Sequence, residues 1–391
     1  MKLDKLKVMI VDRNSVSIGI ISSVLAGLQG IEVVTTATSG GTAVIRLIHT
    51  AVDLILFDIM VSDQNGLSVL NKIRKIYPDV GVVILSDADP VSVNKTINAL
   101  EIGALDFVTR PIDNENSIRD FRRQFKIITG LFQSRKGFRA VRDSAQNPLP
   151  ERGASEQTTL QKPALPVKDS ACVPLPHGPD FIRHPRSTRI DAVAIGASTG
   201  GPSALIEVIP RLPGDLGVPF FLVQHMPPFF TATFAENMDK RSALNVIEAT
   251  NGQDVQPNTV YIAPGGKHMI VHQKDSVATL NNRRRLIGLN DDPPENSCRP
   301  SVDILLRSLV PIYMGNILVV IMTGMGKDGM QGVAAIKHKG GYCLSQSDDT
   351  CVVYGMPRFI DQAGLADDKV PLNEIANRIV ALIRKNRGIS T

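Results

Sequence analysis

Cysteine is scarce in this chain, and the cysteines present form no pattern. Cys172, Cys298, Cys343 and Cys351 show no C-x-x-C spacing. That argues against a disulfide framework or a zinc site and fits a reducing compartment. Long apolar runs are also missing. The longest, such as Ile317 to Met322, fall far short of the ~20 residues of a membrane span, so no membrane insertion is expected. Met1 to Asp12 moves straight into a strand pattern with no signal-peptide features, and a cytoplasmic location is expected. There are no internal repeats.

Charge of one sign is lacking everywhere but in one stretch. The net charge of +5 is carried by residues 131–190, which hold ten Lys/Arg against five Asp/Glu; the rest balances to zero. A nucleic-acid binder places its basic surface on a folded element. Here the excess falls in a segment with eight prolines between Pro148 and Pro185 and no hydrophobic periodicity. Such a segment cannot bury enough apolar surface to offset its ordering entropy. Residues 134–187 therefore read as a flexible linker, and no nucleic-acid partner is expected.

What is present is an alternation of short apolar runs with helical patterns on either side of that linker. In the first part, residues 5–125, Lys7 to Val11, Val33 to Ala37, Leu54 to Phe57, Val82 to Leu85 and Asp106 to Thr109 read as strands. The second part, residues 188–388, has runs at Asp191 to Ile195, Phe220 to Val223, Val260 to Ala263, Met269 to Val271, Ile317 to Met322 and Tyr342 to Leu344. Strands separated by helical segments predict two α/β domains with parallel sheets: a doubly wound, flavodoxin-like first domain and a parallel-sheet hydrolase domain.

In such sheets functional groups gather at the carboxyl ends of strands. In the first domain these ends carry Asp12, Asp58, Ser86 and Arg110 followed by Pro111. Acid, acid, hydroxyl and base-Pro in this order resemble the receiver domains of bacterial response regulators. The resemblance implies Asp58 as phosphoacceptor and Asp12 and Asp58 as Mg²⁺ ligands. Three positions depart from the pattern. Arg13 stands where a second acid is usual, Arg110 where Lys is usual, and Val61-Ser62 where Met-Pro is usual. At position 13 an acid is lost and a guanidinium gained, a charge change of two units that predicts weak Mg²⁺ binding or none and brings phosphorylation of Asp58 into question; Arg110 is wider and planar where Lys is usual.

In the second domain Gly196-Ala197-Ser198-Thr199-Gly200 follows a buried strand and opens a helix. This G-x-S-x-G pattern places a serine on a tight strand-to-helix turn. A degenerate dinucleotide-binding loop is the competing reading, but the next strand ends in Gln224-His225-Met226-Pro227 rather than an acid. A histidine there suits a general base. Asp328, in Thr323-Gly-Met-Gly-Lys-Asp328-Gly, is placed to orient it, or to cap the following helix. His268 and His272 share a strand face without a third ligand, so a zinc site is not expected.

GASTGG, QHMP and TGMGKDG, in this order behind a receiver, resemble the CheB family of protein-glutamate methylesterases. Cys298-Arg-Pro-Ser-Val-Asp303, Phe230-Thr231 and Gly355-Met356-Pro357 add to the likeness. The resemblance covers nearly the whole chain outside the linker. It implies Ser198 as nucleophile, His225 as base, Asp328 as its orienter, and Thr199 and Met325 in the catalytic loops. It implies no cofactor for the esterase, methyl-accepting chemotaxis receptors as substrates, a CheA-type histidine kinase upstream, and deamidation of receptor glutamines. A non-catalytic signalling adaptor is the alternative class, and the complete Ser–His–Asp set argues against it.

Overall fold

The computed structural model describes residues 5–61, 65–87, 89–129, 189–274 and 284–385. The expected linker, 134–187, lies outside the described residues, as do Ser62 and Cys172. Among the described residues no helix is long and apolar enough to cross a membrane.

The apolar runs of the first part become β1 (Leu6–Val11), β2 (Ile31–Ala37), β3 (Leu54–Asp58), β4 (Gly81–Ser86) and β5 (Asp106–Thr109). They form a parallel sheet of order β2-β1-β3-β4-β5. Helices α1 (Ser15–Ala26), α2 (Gly40–His49), α3 (Gly66–Ile76) and α4 (Pro90–Ile102) separate the strands, and a fifth, α5 (115–129), follows. Strands β3 and β4 are buried along their whole length, as expected of a sheet covered on both faces. The strand order reverses between β1 and β3. Their carboxyl ends deliver Asp12 and Asp58 to the same crevice.

The second sheet has seven parallel strands in the order β14-β13-β12-β6-β7-β9-β8. They are β6 (Ala192–Ala197), β7 (Phe220–Gln224), β8 (Asn245–Glu248), β9 (Thr259–Ile262), β12 (Ile317–Ile321), β13 (Tyr342–Gln346) and β14 (Asp368–Val370). Helices α6 (Gly201–Val208), α7 (Phe230–Asp239), α8 (Val302–Tyr313), α9 (Met330–His338), α10 (Met356–Gln362) and α11 (Leu372–Lys385) accompany them. The chain winds outward from β6 through β7, then returns to pair β12 on the other flank of β6. Strand β6 is thus the switch point, and the loops after β6, β7 and β12 lie side by side.

One expectation needs correction. Met269 to Val271 is not part of the main sheet. It belongs to β10 (His268–Lys274), which pairs antiparallel with β11 (Arg284–Asn290) in a separate hairpin. Strands β8, β11 and β14 were not anticipated. They are short or carry charged residues, so their alternation is weak, and it is their neighbours in space that make them strands. Ser301 caps α8, its hydroxyl accepting from Ile304 N.

The two domains share one face. Helix α4 packs against α6 and α7, and Val93 and Ile97 of α4 join the same buried apolar cluster as Ala204, Leu205 and Phe230. Phe107 stacks on Phe230 with ring centroids 4.4 Å apart, a contact worth about 1 kcal/mol beyond the area it buries. Glu101 pairs with Arg241 at the rim.

Candidate active site and receiver pocket

The strand-to-helix turn after β6 is held by backbone bonds. Ser198 N donates to Thr323 O (3.0 Å), Gly201 N donates to Ser198 O (2.7 Å), and Gln224 Nε2 donates to the same carbonyl (2.9 Å). Glycine is needed twice here. A Cβ on Gly201 would lie 2.0 Å from Gln224 Oε1, and one on Gly324 2.7 Å from Ser198 Cβ. The loop after β12 can therefore pass directly over the serine only without a side chain at 324.

His225 follows β7, whose Gln224 is register-paired with Ala197, and His225 N donates to Ala197 O (3.1 Å). Its ring is 12% exposed, and Nε2 lies 2.9 Å from Asp328 Oδ2. Nδ1 lies 3.5 Å from Cys298 Sγ. Among the described residues the Ser198 hydroxyl makes no hydrogen bond, and the ring nitrogen not used by Asp328 faces the thiol. Hydrogen bonds of this kind often tighten only with substrate bound.

Asp328 is 2% exposed and accepts six hydrogen bonds. The expected alternative, a cap on the helix that follows it, is not what forms. The N-cap of α9 is Gly329, while the Asp328 carboxylate sits on the N-terminus of α8, accepting from Val302 N (2.7 Å), Asp303 N (3.1 Å) and Ser301 Oγ (2.8 Å). Burial alone would raise its pKa; the His225 bond and these donors outweigh it and lower it to about 2. For His225 burial opposes a charge, and the Asp328 and Cys298 contacts outweigh it and raise its pKa. The pair is thus a base whose protonated form is held by a fixed carboxylate.

His268 is fully buried and structural: its Nδ1 accepts from Ser301 N (3.2 Å), and Nε2 lies 3.2 Å from Pro293 O. His272 on the same strand is exposed. Met325 is 49% exposed on the loop over Ser198, and Thr199 O accepts from Thr323 Oγ1 (3.0 Å).

In the receiver pocket Asp12, Asp58 and Ser86 are buried. The centre of the pocket is a guanidinium. Arg110 Nη1 bonds Asp12 Oδ2, Nη2 lies 3.2 Å from Asp58 Oδ1, and Nε lies 2.8 Å from Asp87 Oδ1. Nη1 also reaches Ser17 Oγ at 3.0 Å. Arg13 Nε stands 3.9 Å from Asp58 Oδ2, on a side chain 50% exposed. Burial raises the pKa of Asp58, opposed by the Met60 N–H and by Arg110. The residues present do not fit Mg²⁺. Octahedral coordination at about 2.0–2.1 Å needs several free oxygens; here both carboxylates of the expected ligand set pair with one guanidinium, and the one Asp58 oxygen left without a hydrogen bond, Oδ2, stands 3.9 Å from Arg13 Nε. The expectation that Arg13 is the main obstacle is revised, since Arg110 occupies the space between the acids and Arg13 stands at its edge.

A measurable consequence follows for the pocket. Wild-type protein is expected to show little acetyl-phosphate labelling of Asp58 and no saturable Mg²⁺ binding at millimolar metal. The double variant Arg13→Asp, Arg110→Lys should gain both, with labelling up at least about tenfold, because it removes the fork and restores an acid. Mass spectrometry of Asp58 with and without Mg²⁺ reads this. Rapid Mg²⁺-dependent labelling of the wild type would show that the guanidinium yields its place.

The receiver also reaches the serine turn. Asp106, at the start of β5, accepts from Gly200 N (3.0 Å) through Oδ2, and Ser203 Oγ donates to Ala104 O (3.2 Å). One of the N–H groups beside Ser198 is therefore taken up by a carboxylate of the other domain. Sequence reasoning missed Asp106, because nothing in its own segment shows that β5 abuts α6.

The sequence pattern of the family described as "CheB methylesterase" matches residues 193–379. That of the "Response regulator receiver domain" matches residues 8–121. A protein-glutamate methylesterase/protein-glutamine glutaminase of Desulfotalea psychrophila is 36% identical, covering 98% of this chain and 100% of that protein. The protein of the same name from Clostridium acetobutylicum is 34% identical, covering 98% and 99%. One from Archaeoglobus fulgidus is 35% identical, covering 97% and 98%. Among solved structures, the Thermotoga maritima CheB methylesterase catalytic domain is 39% identical. It covers 49% of this chain and 98% of that one, with a TM-score of 0.46.

Proposed function

The chain belongs to the CheB-type protein-glutamate methylesterase family, and we propose that it hydrolyses glutamate γ-methyl esters on methyl-accepting chemotaxis receptors and deamidates receptor glutamines. The observation that carries this reading is the His225–Asp328 pair at 2.9 Å, set at strand ends flanking the turn that presents Ser198.

In this reading Asp328 holds Nε2, so Nδ1 is the nitrogen that takes the proton from the Ser198 hydroxyl. Ser198 Oγ attacks the ester carbonyl, and backbone N–H groups at the turn stabilise the oxyanion. His225 returns the proton to the leaving methoxide, and methanol departs. Water, activated by the same Nδ1, then splits the acyl-enzyme to glutamate. With a glutamine substrate the leaving group is ammonia. The esterase chemistry uses no cofactor in this scheme. Methanol release from a methylated receptor tests it directly; a fully folded protein that releases none would refute it.

Regulation follows from the shared face. With Asp106 on Gly200 N and α4 over α6 and α7, the receiver sits on the turn that must receive substrate. With domain limits proposed at 5–125 and 188–388, all three proposed catalytic residues fall in the second domain. The CheA-type kinase implied by the family is the expected phosphodonor only if Asp58 can be released from Arg110.

Domain docking should depend on pH. Burial raises the Asp106 pKa to about 6 from its ordinary 3.8, against the Phe107 and Gly200 N–H bonds that lower it. Where the second domain supplies that burial, the docked state holds the proton more tightly than the undocked one. Docking is strongest below the ordinary value and weakens as pH rises through about 6, after which it is constant. Asp106→Asn should abolish that dependence. Inter-domain energy transfer between dyes on the two domains, followed from pH 4 to 7, checks it. A wild-type curve that is flat over this range would remove Asp106 from the latch.

A further inference from the structure

Cys298 plays no part in the scheme above, yet its thiol touches the proposed base. It is partly exposed. Glu295 and Cys298 exchange backbone hydrogen bonds (3.1 and 2.9 Å) around a turn in which Asn296 and Ser297 both have positive φ, 52° and 63°. Two successive non-glycine residues in that region are uncommon and costly. Asn296 is tied down by bonds from its Nδ2 to Asp303 Oδ2 (3.0 Å) and Asp328 Oδ1 (3.2 Å). The turn therefore fixes Cys298 Sγ 3.5 Å from His225 Nδ1.

We propose that Cys298 Sγ and His225 Nδ1 form a binding site for a thiophilic divalent cation of the zinc and cadmium class, and that its occupancy shuts off the esterase. Three features carry this. Zn–S of about 2.3 Å and Zn–N of about 2.0–2.1 Å at a tetrahedral angle place the two donors roughly 3.5 Å apart, which is the separation observed. Asp328 on Nε2 supplies the carboxylate–histidine contact that directs a metal to the other nitrogen. The donor atoms of His225, Cys298 and Asp328 all lie within 4.8 Å of one another, so the carboxylate's charge is close at hand.

Binding releases the thiol proton and the Nδ1 proton of the imidazolium to solvent, and forms one metal–sulfur and one metal–nitrogen bond. Water, or the Ser198 hydroxyl, fills the remaining positions. Hard Mg²⁺ has no preference for sulfur and should not compete. Because the cation uses the Nδ1 lone pair that must accept the serine proton, binding and catalysis exclude each other. The inhibitory part rests on the proposed function; the binding part does not.

The test separates them. Full-length Ser198→Ala protein, in a Cys172→Ser background, is titrated with cadmium and followed by the thiolate-to-cadmium ultraviolet band. A saturable band is expected. Further changing Cys298→Ser should abolish it, and His225→Gln should weaken binding at least about tenfold. In a parallel series with Ser198 intact, zinc should inhibit methanol release, chelator should reverse it, and Mg²⁺ should not act. The inhibition constant, measured against each variant's own activity, should rise at least about tenfold in Cys298→Ser. No band, a band that survives Cys298→Ser, or an unchanged inhibition constant would overturn the proposal. A band in a protein with no esterase activity would leave the cation site standing and sink only the proposed reaction.

Discussion

Replacing Ser198 by Ala is expected to cut methanol release by about 10⁴–10⁶-fold while leaving stability within about 0.5 kcal/mol of wild type. The two halves of this result come from different observations. The rate loss follows from removing the attacking oxygen. The small stability change follows from the bonds that hold the turn, which run through Ser198 N and Ser198 O and not through its hydroxyl. A structural serine would show the opposite pattern, with a lower melting temperature and little change in rate per folded molecule. Methanol release and a thermal melt on one preparation decide between them. A variant that keeps more than roughly a tenth of the wild-type kcat, with background esterase excluded, would sink the assignment. Labelling by a serine-directed fluorophosphonate should be lost in the same variant.

Asp328→Asn should lower both rate and stability. The rate should fall about 10⁴-fold, because an amide at this place can donate to Nε2 and so trap the ring in the wrong tautomer for Nδ1 to carry out its role. Stability should fall by roughly 2–4 kcal/mol, because an amide nitrogen would face some of the donors that now converge on the carboxylate. The pH dependence provides a second check. The carboxyl is depressed to about 2 from 3.8, so its contribution is complete above 3.8 and is lost as pH falls toward and through 2. Denaturant midpoints for wild type should therefore drop on acidification across that window, and the Asn variant should show a smaller drop. A variant as stable as wild type at neutral pH would mean that the helix α8 contacts are incidental.

The receiver half shows how local reading can misplace weight. Arg13 and Arg110 both stand out in the sequence as departures, and charge counting puts the weight on Arg13, since Arg in place of Lys adds no charge. Geometry does not. Arg110 leaves β5 pointing inward, its guanidinium 15% exposed and shared among three carboxylates, while Arg13 is half exposed at 3.9 Å from one. Exposed pairs at that distance contribute little. A buried fork bonded to several acids is a fixed part of the pocket.

What the sequence by itself determined is the set of elements and the groups at their ends. Buried apolar runs separated by helical periods make parallel sheets, and a residue just past such a run must lie at the carboxyl edge. Asp12, Asp58, Ser86, Arg110, Ser198 and His225 are therefore placed by their own segments. What only the tertiary structure decided is which edges meet. Asp328 serves α8 and not its own helix, Asp106 reaches Gly200 across 94 residues, and Cys298 finds His225 across 73. Strand order, domain docking and the direction of a side chain from its turn depend on packing summed over the whole chain, and no local window of residues contains that sum.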